Sequence, residues 1–567
     1  MPYEKREYKG LEIIMKDKSA LRKSKFREEI TVIDWIIFAI LACFCYFSMQ
    51  QQDILHTAGS SFSILNGHIL DFYEYNAQYM SLNNYMISSY ILFALWNLPI
   101  YLLGVVTTPT MDVPYAVLMW YKALPTLCYF ISTLVIYRIG KDVGFSTKKA
   151  RIMAYAFAAT PIGFFSQFCF GQYDIFTVLF VLLGIHFYFS KRKYDFLLFA
   201  VCFGVSFTFK YFSILLFVPL LLLRKKDITS ILKYGCVAIA PILLFNLPYI
   251  NSTYFRNGVA GFGAVGYIFS AKFDVGVGIS VYIIPLLWVL TCVYAFVQGT
   301  EKKSQEEQFT IVNFCCCMVM FISFGLSMWH PQWLLLAVPF MTFSIFLSKR
   351  KDIICLLQFV LTIVFFGFVV NFWVDFVDQQ LFGLGCFKDC FIPKMDMGIK
   401  MRNIYAFSDL NILYTMFSGV LLGCTVLSSP RFCMTKWEEA TAKEVSWIRA
   451  RSWCGILAFV IPMIICLVSA LTATTYYNPK IVLEKTNGGS TLQITAYGVE
   501  DSQEVQFPTW SDENGQDDII WYKATKDKSG VWVCDADVAN HETSGRINVH
   551  AYADGELVAL ATIDMGT

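Results

Sequence analysis

The chain has 567 residues, of which 56% are hydrophobic, 17% aromatic and only 16% charged. Soluble domains carry about 25% charged residues, so this composition excludes an ordinary soluble enzyme. The net charge of +2 gives no basis for a nucleic-acid partner.

The apolar residues fall into many runs of about 17 to 25 residues, the length that spans hydrocarbon. The chain therefore reads as an α-helical polytopic membrane protein. Its charge is uneven. From Lys480 to Thr567 there are fifteen Asp/Glu and six Lys/Arg, a net of −9, which leaves +11 for the rest. The tail reads as a separate, soluble, acidic unit, and the membrane part has basic loops.

Residues 1–31 form a basic N-terminus without a cleavage site, so the first run, Val32 to Met49, reads as an uncleaved anchor. Basic clusters mark the cytoplasmic side. They are the N-terminus, Arg138 to Arg151, Lys191-Arg192-Lys193, Arg224-Lys225-Lys226, Lys302-Lys303, Lys349-Arg350-Lys351 and Arg431 to Arg451. Three glutamines and a single carboxylate, Asp53, follow the first run and open an outer loop of about thirty residues. Asp71 is a second acid in that loop.

Runs near 84–107 and 113–137 come next, yet parity allows only one of them to cross fully. Runs near 151–169 and 174–190 form a hairpin whose outer tip is Gly171-Gln172-Tyr173-Asp174. The run Phe196 to Leu223 has basic clusters at both ends. Two short helices meeting near Lys210 resolve that conflict and put Lys210 deep in the bundle. Later spans are expected near 231–249, 277–298, 309–328, 333–348, 352–373, 407–427 and 452–472. The tip His330-Pro331-Gln332-Trp333 is again outside. The total is about thirteen transmembrane helices, with the N-terminus inside and the C-terminus outside.

The expected domains are the cytoplasmic N-terminus 1–31, a membrane domain 32–473, a linker 474–486 and an extracellular domain 487–567. In the last, short alternating runs such as TLQITAYG and RINVHAYAD are punctuated by Asn487-Gly488-Gly489 and Glu513-Asn514-Gly515. That pattern predicts an all-β sandwich. The eighteen cysteines lie mostly inside apolar runs, as small hydrophobes do. Cys386 and Cys390, in a loop placed outside, are a candidate disulfide. No His/Cys group has zinc spacing.

Ionisable groups at membrane depth are costly, so each is a functional candidate. Asp53, Asp174, Lys210 and His330 all fall on one side of this topology. Each has a structural alternative. Asp53 can be a solvated loop acid, Asp174 a helix cap, Lys210 a snorkelling side chain, and His330 simple helix-end chemistry. His186, in an apolar run, reads as a satisfied core residue.

GQYD opening a helix, a lysine in a broken apolar run (SFTFKYFSILLFVP) and HPQW at a helix start resemble bacterial members of the GT-C glycosyltransferase superfamily. The similarity is to proteins related to the mannosyltransferase that adds the second mannose of GPI anchors. It covers roughly residues 30 to 430. It implies an inverting transfer of a hexose, such as mannose or glucose, from a polyprenyl-phosphate donor to a glycan or lipid acceptor of the cell envelope.

On that resemblance Asp53 is the catalytic base. Lys210 and His330 face the donor phosphate. Gln172, Tyr173, Asp174, Gln332, Trp333 and Asp71 contact substrate. The membrane part has no DxD motif, so no cofactor is certain and a divalent metal stays an open alternative. The stretches VQFPTWSDENGQDDIIWYKATK and GVWVCDADVANHETSGRINVHAYAD resemble the GBS Bsp-like repeat, which implies a Gram-positive envelope and contact with the cell wall. A transporter or flippase of lipid-linked sugars, and a non-catalytic wall-associated scaffold, are the competing readings.

Overall fold

The computed structural model describes residues 29–80, 83–261, 263–300, 303–373, 385–387, 401, 404–407, 409–472, 479–486, 490–511, 518–528, 530–541 and 546–564. Residues 1–386 with 404–461 form one compact unit, and residues 387–403 with 462–567 another. Cys390 and most of the 374–405 loop lie outside the described residues, as do Asn487-Gly488-Gly489 and Glu513-Asn514-Gly515.

The first unit is helical. Helix α1 (Val32–Ser48) begins where Asp34 accepts from the Thr31 N–H at 2.6 Å and from its hydroxyl at 2.9 Å. This satisfies a donor that a helix start leaves open. After a bend of 74° comes α2 (Asp53–Ser60). Helix α3 (Ile87–Leu102) is short, whereas α4 (Tyr115–Asp142) has 28 residues. Of the two runs in parity conflict, the second is therefore the one long enough to cross. Helix α5 (Thr147–Ala158) continues through a turn at Pro161–Phe164 into a π-turn at Phe165–Cys169.

Next come α6 (Ile175–Phe189), α7 (Asp195–Phe209), α8 (Ile214–Arg224) and α9 (Ile228–Asn246). The expected break at Lys210 is present: its backbone is extended (φ −151°, ψ 110°) between α7 and the 3-10 turn Tyr211–Ser213.

The expected span at 277–298 differs. A hairpin of β1 (Lys272–Gly276) and β2 (Ile279–Tyr282) occupies its start, and helix α10 covers Ile283–Gln298. The Gly276-Val277-Gly278 turn has positive φ throughout, which a helix does not allow. Helices α11 (Gln305–Gly325), α12 (Val338–Leu347), α13 (Lys351–Phe372), α14 (Leu410–Leu427) and α15 (Ala442–Thr472) as far as Ile461 complete the unit's helical run.

Helix α15 begins well before residue 452, so Arg449 and Arg451 are not loop residues. Arg449 makes a two-pronged ion pair with Asp34 (2.8 and 2.9 Å). Arg451 is buried and donates to Gln358 at 2.9 Å and to the Ala156 carbonyl at 2.5 Å. Both arginines hold helices together, which removes them from the topological charge count.

Among the described residues, six helices are long and apolar enough to cross a membrane, or eight if the two bent pairs each count as one span. That is fewer than the thirteen expected. The difference lies in shorter apolar helices of 10–17 residues. Four of them begin or end at a candidate site residue: α6 follows Asp174, α7 and the segment Tyr211–Arg224 flank Lys210, and Pro331–Leu347 follows His330. Irregular backbone at membrane depth is tolerated only where it is buried in protein or lines a cavity. The broken helices therefore mark one polar locus.

The second unit contains a β-sandwich. Strands β3 (Lys480–Thr486), β4 (Thr491–Tyr497), β8 (Trp532–Asp537) and β7 (Thr525–Lys526) form one antiparallel sheet in that order. Strands β10 (Glu556–Asp564), β9 (Arg546–Ala553), β5 (Val505–Ser511) and β6 (Ile520–Lys523) form the other. Every second residue of β4 and β9 is buried, the period of a half-buried strand. Ile494 and Leu492 from one sheet meet Val505, Phe507 and Val549 from the other in a single core. Strand β3 lies inside the segment read as a linker, so the sandwich starts at Lys480 rather than 487.

Candidate active site

Asp53 is placed by two features. Helix α1 ends at Ser48, and α2 starts at Asp53, so the carboxylate sits in the first turn of a helix, where negative charge is favoured. Its own N–H donates to Gln51 Oε1 at 2.5 Å. Gln332 Nε2 donates to Asp53 Oδ2 at 3.3 Å, across 279 residues of sequence. That bond brings the segment after α1 onto the HPQW turn. Asp53 follows the 74° bend after α1 and is half-buried. Desolvation, with the nearby Asp174 carboxylate adding to it and Lys210 opposing it, raises its pKa from 3.8 to about 6.

The GQYD turn is the second element. Gly171 has φ +74°, which favours glycine. Asp174 starts α6 but makes no capping bond; its Oδ2 accepts from Lys210 Nζ at 2.5 Å. The capping alternative is thereby replaced by a buried ion pair. Tyr173 OH accepts from Thr57 Oγ1 at 2.7 Å, tying GQYD to α2. Gln172 Oε1 accepts from the Tyr173 N–H at 2.8 Å, while its Nε2 is buried with no protein partner among the described residues. Gln332 Oε1 is in the same condition. Two buried amides with unused hydrogen-bonding capacity are what a polar ligand would satisfy.

The third element is the HPQW turn. Lys210 Nζ lies 4.6 Å from the Trp333 ring centre, a cation–π contact. The His330 ring packs at 4.8 Å from Trp333 and 4.4 Å from Trp373. Desolvation, helped by Lys210, lowers the His330 pKa to about 4. At neutral pH His330 is therefore uncharged. The neutral ring keeps a donor and an acceptor nitrogen for hydrogen bonding.

Lys210, Phe212 and Trp333 form a wall shared by two clefts. One is lined mostly by apolar side chains including Leu216, Met320, Phe324, Met328 and Leu336. The other is lined by Asn84, Tyr85, Met86 and Tyr211. Asp53 lines neither cleft.

The structure thus brings together Asp53, Gln172, Tyr173, Asp174, Lys210, His330, Gln332 and Trp333. It does not bring in Asp71, which is exposed and 2.9 Å from His68 Nδ1. His186, half-buried, is paired with Asp142 at 2.5 Å. Among the described residues no group of three or more His, Cys, Asp or Glu is placed to hold a metal ion.

Two participants were not foreseen: Thr57, and the buried Lys122 of α4. Lys122 carries the same signal as Lys210, a charge inside an apolar run, and that signal would have found it.

Residues 97–323 match the family model of glycosyltransferase family 87, a GT-C-like membrane family. Residues 482–564 match the GBS Bsp-like repeat. No curated protein and no solved structure matches the chain. The first match spans GQYD and Lys210 but ends before HPQW and begins after Asp53. It supports a membrane glycosyltransferase, which uses a sugar donor and an acceptor.

Proposed function

We propose that the protein transfers a hexose from a polyprenyl-phosphate donor to a glycan or glycolipid acceptor of the cell envelope, at the outer membrane face, with inversion. The observation that carries this reading is the meeting of a half-buried carboxylate with a fixed ammonium at the edge of an apolar cleft. A lipid-phosphate sugar asks for those features together.

The step follows from the groups. The acceptor oxygen attacks the anomeric carbon and loses its proton to the Asp53 carboxylate. The bond from that carbon to the phosphate oxygen breaks, and its electron pair leaves on the polyprenyl phosphate. Asp53 is suited to the first part, because its raised pKa makes it a stronger base than an exposed aspartate while leaving it mostly ionised at pH 7.

Lys210 faces the charge that grows on the phosphate. On this reading Asp174 is the residue that holds Lys210 in place rather than a substrate contact. Neutral His330 donates a hydrogen bond. Gln172 and Gln332 offer their unpaired amide atoms to sugar hydroxyls, and Tyr173 and Trp333 complete the polar rim. The cleft lined by methionine, leucine and phenylalanine faces the first isoprene units of the donor. The C-terminal sandwich is read as a wall-facing module outside the membrane.

The test is transfer of radiolabelled mannose or glucose from synthetic polyprenyl phosphate by the purified protein, with membrane extract as acceptor source. Labelled product that disappears in Asp53→Asn supports the reading. Transport of intact donor across proteoliposomes, without transfer, overturns it.

A further inference from the structure

Lys122 is buried in α4 and has no carboxylate partner among the described residues. Its ammonium donates to three close carbonyls: Tyr46 at 3.0 Å, Met49 at 2.7 Å and Phe168 at 2.7 Å, with Cys45 further off at 3.5 Å. An ammonium has three protons, so its capacity is filled.

The identity of these carbonyls matters more than their number. Cys45 and Tyr46 lie in the last turn of α1 and Met49 caps it, where a cation is favoured; the Cys45 carbonyl also accepts from the Met49 N–H. Four residues after Met49 stands Asp53. Phe168 belongs to the π-turn that ends the α5 segment, and the GQYD turn comes directly after it. The lysine stem also lies against that turn. A Cβ on Gly171 would meet Lys122 Cγ at 2.9 Å and Cε at 3.1 Å. One side chain therefore grips both segments that deliver the two carboxylates, at the point where each helix stops.

We infer that Lys122 is a positioning residue of the active site: it clamps the end of α1 to the GQYD turn and so fixes Asp53 relative to the Asp174–Lys210 pair. A purely structural lysine is the weaker account. Burying a charge in an apolar bundle is costly, and an apolar residue of the same length would pack α4 without that cost. The carbonyls it gathers are the last fixed points before two catalytic turns. The inference rests on the reading of Asp53 as the base.

A double-mutant cycle on the full-length, detergent-solubilised protein tests it, with the radiolabelled polyprenyl-phosphate sugar as probe. Lys122→Met keeps the stem and removes the ammonium. The expected result is a kcat about 10- to 100-fold lower with the donor KM within about threefold, because a misplaced base loses rate rather than donor binding. In the Asp53→Asn background the same substitution should change kcat by less than about twofold, since a group that acts through Asp53 has nothing left to act through. A loss of the same size in both backgrounds overturns the inference and leaves the base reading intact. Full turnover in Asp53→Asn alone overturns the base reading, and this inference with it. If Lys122→Met does not fold, Lys122→Gln, which keeps one amide donor, carries the same cycle. Should neither variant fold, Lys122 is a folding residue and the inference fails.

Discussion

Replacing Asp53 by asparagine is the sharpest test of the proposed chemistry. The side chain keeps its size, and Gln332, 3.3 Å away, can still bond to the amide oxygen. What is lost is the basic site. A positioned general base is worth about 10²–10⁴ in rate, equivalent to about 3–5 kcal/mol of transition-state stabilisation at 1.36 kcal/mol per tenfold. Turnover should fall by that factor. Donor affinity should change little, because Asp53 lines neither cleft beside Lys210.

The pH profile gives a second readout. Desolvation favours the neutral acid, so the Asp53 pKa rises to about 6 rather than falling. The active form is the carboxylate. At pH 7 about nine-tenths of it is ionised, and at pH 5 about one-tenth. Below about pH 6, kcat/KM in the native protein should therefore drop tenfold per unit, and that limb should vanish from the residual activity of Asp53→Asn. Asp71→Asn is the control, exposed and paired among the described residues with His68, and should keep its rate. Loss of turnover in Asp71→Asn with Asp53→Asn spared would refute the assignment of the base.

The Asp174–Lys210 pair makes a prediction that separates folding from catalysis. Lys210→Met strands a buried carboxylate and should cost about 3–5 kcal/mol of stability. Adding Asp174→Asn should restore most of the thermal stability in detergent but not the turnover; recovery of turnover would remove Lys210 from its role at the leaving phosphate. Deleting residues 480–567 should leave transfer activity within about threefold, because every group in the proposed step lies in the helical unit. A folded deletion without activity would sink that division of labour. Cysteines introduced at Glu439 and Lys528, in a chain whose exposed native cysteines are replaced, should label differently in intact cells. An impermeant maleimide should reach 528 and not 439, and the opposite pattern would invert the proposed orientation.

Some of this site could be read from the chain, and the reason is physical. The break at Lys210 was legible because an apolar run with basic residues at both ends cannot be one straight span. The GQYD and HPQW turns were legible because each interrupts an apolar run with polar residues. The β-sandwich was legible from its period of two, although β3 begins inside what composition marks as a linker.

Partners were not legible. The Asp174–Lys210 bond links residues 36 apart, and the Asp53–Gln332 bond residues 279 apart. Local pattern carries no information on such pairings. The helix-to-helix partners of the arginines at 449 and 451 are illegible for the same reason. The positive-inside rule counts loop charge, but both side chains are spent on interhelical bonds, one to Asp34 and one to Gln358.

The pairing of Lys210 changes what the site must do with charge. Read from sequence, Lys210 and His330 are the two groups that face the donor phosphate. In the structure Lys210 is matched by Asp174, Asp53 adds a further negative charge above its pKa of about 6, and His330 is neutral at pH 7. Among the described residues the cluster's carboxylates then outnumber its cations before a donor arrives. On the proposed reading, ground-state attraction for the donor phosphate is weak, and donor binding comes from the apolar cleft. The gain from Lys210 comes as charge moves onto the leaving phosphate while Asp53 takes up the acceptor proton and becomes neutral. At that moment the cluster's own charge rises by one unit, and the ammonium is no longer opposed by two carboxylates. An arrangement that favours the transition state over the bound donor is the one that raises kcat rather than merely tightening binding.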